Sequence, residues 1–370
     1  MARTVWILGA GASKAAYCGM PLVKDFMAEA FDRLRLSGAQ GLRLQKFISE
    51  TYGYNEPRNV NIEELLTLAW CDISNLDRQG NSILADQDKS SLLYRAMDTR
   101  RKVEALIVGV LFQTQRECVQ RGDWVHSSLA EVIDRQDAVI TYNYDLLIDN
   151  ALWIARKASS HDYGVAFSAS VDGSSGPAVR EGYVREPEAQ PDCTPGEPGV
   201  PILKLHGSLN WLTLENATLF RRDREVFYFP RAIDLSFGAE FWWTGFGHFR
   251  PADGGNDISQ SGRLRPMIVP PTFDKDALRQ SPMEKLWPRA DEAIRNSDRM
   301  VLFGLSLREA DYQTRWLLRT ALVAARPRTI EIDIVNSSPE DRDRLRAFFE
   351  GLGTVVLFGS IDDFLTGKAA

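Results

Sequence analysis

The run Thr4-Val5-Trp6-Ile7-Leu8 stops at Gly9-Ala10-Gly11-Ala12-Ser13, and an amphipathic segment follows from about Leu22 to Leu36. A short buried strand, a glycine turn and a helix make the opening of a nucleotide-binding βα unit. Glycines there let backbone N–H groups approach a pyrophosphate, and the helix N-terminus adds positive potential. The pattern is G-x-G-x-S. It is neither the G-x-G-x-x-G of dehydrogenases nor a P-loop, because no G-K-[ST] follows. A tight turn holding no ligand fits the same residues.

The rest of the chain continues this rhythm after an interruption. From about 40 to 134 the apolar residues recur at three-to-four spacing, as in Ile62-Glu63-Glu64-Leu65-Leu66 through Trp70 and Ile73, or Val103, Ile107, Val110 and Leu111. This predicts a helical insertion over 37–134, with the nucleotide-binding domain formed by 1–36 and 135–370. Short apolar strands return at Ala138–Thr141, Ile202–Leu205, Met300–Phe303, Ile330–Val335 and Thr354–Phe358. With the first, they make six. Most precede a helix, so the expected fold is α/β: a Rossmann-like parallel six-stranded sheet with helices on both faces and a helical insertion or cap. Residues 159–200 are rich in Gly, Ser, Pro and Glu, and read as a long loop, a lid or a small β excursion. The stretch 211–271 is aromatic and strand-like in places, as at Val226–Phe229 and Met267–Val269, before Pro270-Pro271.

Composition narrows the function classes. Lys and Arg total 44 against 50 Asp and Glu, a net charge of −6, which argues against broad nucleic-acid binding. Arg100-Arg101-Lys102 and Arg221-Arg222-Asp223-Arg224 therefore read as solvated faces, and Phe241-Trp242-Trp243 as core or an oligomer contact. No run of eighteen apolar residues exists to span a membrane, and the opening run is too short for a signal peptide. Cys18, Cys71, Cys118 and Cys193 are scattered, which supports neither a zinc cluster nor a disulfide framework. A cytoplasmic location is the expectation.

Ligands of open α/β sheets sit outside the carboxyl ends of the strands. Thr141-Tyr142-Asn143-Tyr144-Asp145 ends one strand, where Asn143 could hold a water or a ribose hydroxyl. Asn143 and Asp145 could equally cap the following helix. Lys204-Leu205-His206-Gly207-Ser208 ends another, with His206 a candidate base near neutral pH or a structural hydrogen-bonding residue. Gly304-Leu305-Ser306 and Asn336 end two more, as ribose or adenine contacts or as turn formers.

In this order the motifs resemble the sirtuin superfamily, whose Gly-Ala-Gly-x-Ser, Thr-x-Asn-x-Asp and His-Gly elements match Gly9–Ser13, Thr141–Asp145 and His206-Gly207. Gly19-Met20-Pro21 is similar to the family's Gly-Ile-Pro, Gly304-Leu305-Ser306-Leu307 to its Gly-Thr-Ser-Leu, and Val335-Asn336 to its Ile-Asn pair. There are departures. The zinc ribbon of four cysteines is missing, and Val269-Pro270-Pro271-Thr272-Phe273 stands where a Phe-Gly-Glu stretch is expected. Pro21 leads into Leu22-Val23-Lys24-Asp25-Phe26 without the family's arginine, and a long connection separates Asn143 from His206. These features, with Ser306–Asp311, look like the bacterial sirtuin-like NADase branch of anti-phage defence.

That resemblance implies an NAD⁺ glycohydrolase that cleaves the nicotinamide–ribose bond to nicotinamide and ADP-ribose, depleting NAD in abortive infection. NAD is then the substrate, and neither zinc nor another metal is expected. The implied catalytic residues are Asn143, His206 and Asp145. The implied dinucleotide contacts are Gly9, Ala10, Gly11, Ala12, Ser13, Thr141, Gly304, Ser306 and Asn336. A toxic NADase must be held off until triggered, so a homo-oligomer or a partner such as a translocase-type ATPase is expected, with no membrane and no direct nucleic-acid contact. An NAD-dependent protein deacylase, a non-catalytic NAD or ADP-ribose sensor and a cyclising enzyme are the alternatives.

Overall fold

The computed structural model describes residues 3–15, 20–23, 25–33, 39–77, 87–121, 124–155, 163–164, 167–172, 178–184, 199–215, 226–228, 250–251, 263–269, 283–309 and 311–368. Gly19, Lys24, Arg221–Arg224, Phe229, Phe241–Trp243, Pro270–Phe273 and much of 159–200 lie outside them.

The chain opens with β1 (Thr4–Leu8) and the short α1 (Ala10–Ala15). Among the described residues, the region up to 134 is then helical: α2 (Phe26–Arg33), α3 (Ala39–Tyr52), a single 3₁₀ turn (Pro57–Asn59), α4 (Ile62–Asp77), the long α5 (Gln87–Arg121) and α6 (Val125–Val132). There follow β2 (Ala138–Thr141), α7 (Leu147–Ile154), β3 (Phe167–Asp172), β4 (Ala178–Val184), β5 (Ile202–Lys204), β6 (Gly207–Glu215), β7 (Val226–Tyr228), β8 (Arg250–Pro251) and β9 (Arg263–Ile268). The chain ends with α8 (Met283–Arg295), β10 (Arg299–Phe303), α9 (Tyr312–Ala324), β11 (Glu331–Val335), α10 (Pro339–Phe349), β12 (Thr354–Phe358) and α11 (Ile361–Thr366).

The six strands expected from sequence form one parallel sheet in the order β12-β11-β10-β1-β2-β5. Counted along this sheet, that is the 3-2-1-4-5-6 order of a doubly wound α/β fold, so the winding reverses between β1 and β10. Val5, Trp6, Ile7 and Leu8 are buried on both sides of the pleat, as helices on both faces require, and each fully buried aliphatic side chain contributes about 1.5–3 kcal/mol. The register aligns Leu8 with Phe303 and Thr141, Thr141 with Lys204, Phe303 with Val335, and Val335 with Phe358. Gly9, Tyr142, Leu205, Gly304, Asn336 and Gly359 therefore share one edge. Local signals in the last third act as read: Ser338 Oγ accepts from the Asp341 amide, and Pro339 fills the first turn of α10.

The structure adds a second six-stranded sheet, β8-β4-β3-β7-β6-β9, whose β7 and β9 overlap the strand-like runs at 226–229 and 267–269. Two of its strands come from 159–200, so part of that stretch is a β excursion. Only Leu205 and His206 separate β5, in the first sheet, from β6, in the second. His206 thus sits where the chain changes sheets.

Candidate functional site

At the reversal point the glycine turn is welded to the end of β10. Gly9 N–H donates to Phe303 O at 3.0 Å, Gly11 N–H to Gly304 O at 2.9 Å, and Ala12 N–H to Gly9 O at 2.9 Å. Three of the four amides expected to face a pyrophosphate are therefore engaged within the protein. The Ala10 amide has no partner among the described residues, and Ala10 is exposed. Leu307, which follows this edge, is a buried non-glycine residue at φ 45°. Such strained backbone is concentrated at functional loops.

Asn143 is held to the same turn. Its Nδ2 donates to Gly9 O and to Ser13 Oγ, each at 2.9 Å. A carbonyl oxygen only accepts, so the contact with Gly9 fixes which end of the amide is nitrogen. Both N–H groups are used, and Oδ1 is left as an acceptor without a partner among the described residues. Ser13 Oγ in turn donates to Asp145 Oδ2 at 2.6 Å, while Asp145 Oδ1 accepts from the Leu147 amide at 3.1 Å. Asp145 thus braces the loop and starts α7. Thr141 Oγ1 accepts from the Asn143 amide at 3.1 Å, so this hydroxyl shapes the turn.

Beneath lies a buried polar chain. Lys204 Nζ donates to Asp145 O at 2.5 Å and pairs with Asp149 Oδ2 at 3.0 Å, both side chains being wholly buried. Asp149 Oδ1 accepts from Tyr163 OH at 2.6 Å, and Asn210 Nδ2 donates to the same hydroxyl at 2.8 Å. This chain ties β5 and β6 to α7 and holds the Asn143 loop from below.

Ser13, Asn143 and Asp145 line a cavity of about 80 Å³ together with Ala10, Met20, Pro21, Tyr142, Tyr144 and residues from the helical region, among them Phe26, Glu63, Leu66 and Ile107. Whole-ligand sites run to about 300 Å³ or more, so this cavity is smaller than a whole-ligand site. Its walls are mostly apolar.

His206 is not among the lining residues. Its half-buried ring packs edge-on to Tyr142, with centroids 5.3 Å apart, and lies 6.4 Å from the ring of Tyr144. Both tyrosines line the cavity, so the imidazole meets it through them. Burial pushes its pKa down to about 4, and the ring is neutral at neutral pH. Gly207 beside it has φ 86°, and a Cβ there would lie 2.0 Å from Met267 O, so the glycine is demanded by β9.

On the other side of the reversal, Asn336 Nδ2 donates to Leu305 O and its Oδ1 accepts from the Ser338 amide, both at 2.9 Å. Its side chain therefore joins the end of β10 to the start of α10. Ser306 is half-buried, and its carbonyl accepts from Arg344 Nη1 at 3.2 Å.

No family model matches the chain, and no curated protein matches it. Solved structures do. One, on the mechanism and regulation of Sir2 enzymes, is 14% identical, covering 99% of this chain and 90% of that one, with a TM-score of 0.39. A Sir2 homologue in complex with NAD is 13% identical over 99% of this chain and 87% of its own, with a TM-score of 0.40. A Sir2 homologue in complex with ADP-ribose is 13% identical, with 99% and 90% coverage and a TM-score of 0.38.

Glu63 is the lining residue that the sequence did not single out. It lies in the first turn of α4, where Asn61 Oδ1 accepts from the Glu63 amide at 2.9 Å and the Glu64 amide at 3.1 Å. Acids are common there because they complement the helix dipole. That ordinary reason hid it. Its pKa is raised to about 7 by burial first and then by Asp311, with Arg308 opposing. Among the described residues no three His, Cys, Asp or Glu side chains form a metal-binding group, and no helix is long and apolar enough to cross a membrane.

Proposed function

We propose that the chain is a sirtuin-like NAD⁺ glycohydrolase, cleaving the nicotinamide–ribose bond to give nicotinamide and ADP-ribose. The observation that carries this reading is the clamped amide of Asn143, which leaves its Oδ1 unpaired on a residue of the cavity wall, at the carboxyl edge where the winding reverses. The motif order Gly9–Ser13, Thr141–Asp145 and His206-Gly207 supports the same reaction. Nicotinamide leaves as a neutral molecule from a cationic ring, so the bond breaks with little general-acid help. The protein has to supply orientation, a placed water and exclusion of bulk solvent.

In this reading the pyrophosphate lies against Gly9–Ser13, with the Ala10 amide as the free donor. Asn143 Oδ1 holds a hydroxyl of the nicotinamide ribose or the attacking water, while Asp145 and Thr141 hold Asn143. His206, neutral at physiological pH, accepts a proton from a ribose hydroxyl or from that water. Gly304, Ser306 and Asn336 form the floor under the adenosine half. The biological setting we assign is NAD depletion in bacterial anti-phage defence, in the cytoplasm. A homo-oligomer or a partner protein such as a translocase-type ATPase would hold the activity in check.

The test is to incubate purified protein with NAD⁺ and separate the products, beside Asn143→Ala and His206→Ala. Nicotinamide and ADP-ribose from the wild type, reduced roughly 10²–10⁴-fold in either variant, support the reading. Unchanged NAD⁺ overturns it, and full activity in either variant refutes the role assigned to that residue. O-acyl-ADP-ribose formed from an acylated peptide would assign a deacylase instead.

A further inference from the structure

We propose that Glu63 is the carboxylate that faces the positively charged nicotinamide ring and makes the site select the oxidised dinucleotide, whose ring is cationic, over the reduced form, whose ring is neutral. The inference rests on the NAD⁺ reading above and adds to it a specificity-determining residue.

The placement follows from the two ends of the site. If the adenosine half lies on the β10–β11 side, over Ser306 and Asn336, the other end of the dinucleotide falls on the β1–β2 side. The 80 Å³ cavity is there, lined by Ser13, Asn143, Tyr144 and Glu63. Most of its wall is apolar: Met20, Pro21, Val23, Phe26, Ile62, Leu66, Ile107 and Leu111 suit a flat aromatic ring but offer nothing to a charge. The lining carboxyl of Asp145 is occupied by Ser13 and the Leu147 amide. The Glu63 carboxyl has neither a hydrogen bond nor an ion pair among the described residues.

Helix-dipole stabilisation does not explain this orientation. Glu64 sits in the same first turn and is exposed, whereas Glu63 is half-buried and turned into the cavity. A carboxyl taken out of water without a partner is costly, and a cation that arrives in the cavity removes the cost. The charged and titratable groups around it are Asp311 and Arg308, in the loop after β10, and Tyr144, in the loop after β2. Burial and then Asp311 hold the carboxyl partly protonated near pH 7, so the charge that attracts the ring is complete only above that pH.

The experiment measures dissociation constants by calorimetry for three probes: a carbocyclic NAD⁺ analogue, whose nicotinamide ring is cationic and whose glycosidic bond cannot be hydrolysed, NADH, and ADP-ribose. We expect the wild type at pH 8 to bind the carbocyclic NAD⁺ analogue about tenfold more tightly than NADH, with the preference shrinking at pH 6. Glu63→Gln should abolish the preference and leave ADP-ribose binding unchanged, while Glu64→Gln should behave as wild type. Equal binding of the two dinucleotides by the wild type, or a preference that survives Glu63→Gln, overturns the inference and leaves the NAD⁺ reading standing. Failure of all three probes to bind the wild type overturns both. Should Glu63→Gln lose ADP-ribose binding through misfolding, the wild-type pH series decides: a preference constant from pH 6 to 8 sinks the proposal.

Discussion

Gly304 and Gly11 meet backbone to backbone: a Cβ on Gly304 would lie 2.1 Å from the Ala12 nitrogen and 2.7 Å from the Gly11 Cα. The contact fastens the first βα turn to the neighbouring strand end, at φ 65° on Gly304. Gly304→Ala should therefore cost more than the roughly 1–2 kcal/mol of a left-handed backbone alone, because the turn must also move. We expect a clear drop in the urea midpoint together with loss of ADP-ribose binding. A variant that unfolds like wild type would show that the two turns are not coupled.

Ser13 touches both Asn143 and Asp145, and replacing it removes the link without emptying a core. Ser13→Ala should lower turnover of NAD⁺ about 10²-fold by freeing the Asn143 amide, and should cost about 1–3 kcal/mol of stability because the buried Asp145 Oδ2 loses its donor. Because the two residues act through one hydrogen bond, Ser13→Ala should add little in an Asn143→Ala background. Additive losses in that double-mutant cycle would assign Ser13 a separate role.

Much of this frame is legible in the sequence. Each strand of the parallel sheet is a short apolar run ending at Gly, Asn, Tyr or His, and burial on both faces makes such runs visible without alternation. The second sheet is legible only in part: the strand-like runs at 226–229 and 267–269 overlap β7 and β9, but β3 pairs with β7 and β4 with β8 in parallel, across long stretches of chain. A two-residue strand such as Arg250–Pro251 carries no period at all. At the site, Gly9–Ser13 and Asn143 announced themselves through strand-end position. Asn336 did so too, yet both ends of its amide are held by the protein. Glu63 was invisible for the opposite reason, since a helix start without any ligand would carry it as well.

Lys204 and Asp149 are both wholly inaccessible, and each is the other's countercharge. Breaking such a pair leaves a buried charge, which costs about 3–5 kcal/mol. Lys204→Met should thus be strongly destabilising and should also disturb the Asn143 loop, because Lys204 donates to Asp145 O. Lys204→Met with Asp149→Asn should recover part of the loss in chemical denaturation. No recovery would mean that the lysine stem or its backbone contact, rather than the charge, carries the stability.

His126 adds a sensitivity to acid. It is 1% exposed, its Nδ1 has no partner among the described residues, and burial pushes its pKa down to about 4, with Lys204 adding to the shift and Asp145 and Asp149 opposing it. The unfolded chain protonates this ring near pH 6.5, while the folded one resists until about pH 4. Stability present above pH 6.5 is therefore lost as pH falls between those values, by on the order of 3 kcal/mol for this residue. His126→Gln should flatten that limb of the stability–pH curve, and an unchanged slope would rule the residue out as its source.

Glu63 acts in the opposite direction. Its folded pKa, about 7, lies above its unfolded value, 4.5, so the folded state binds the proton more tightly. Stability from this group is complete below pH 4.5 and declines as pH rises through 7. At pH 8 the buried carboxylate is a net cost, on the order of 1–3 kcal/mol. Glu63→Gln should then raise the melting temperature at pH 8 by a few degrees and leave it nearly unchanged at pH 4.5, where both side chains are neutral. A half-buried carboxyl without a side-chain partner among the described residues, beside an apolar cavity and an unpaired amide oxygen, carries a cost that the proposed contact with a cationic ring would offset. If the substitution instead destabilises the protein equally at both pH values, Glu63 is a packing residue of α4, and its carboxyl has no claim on the ligand.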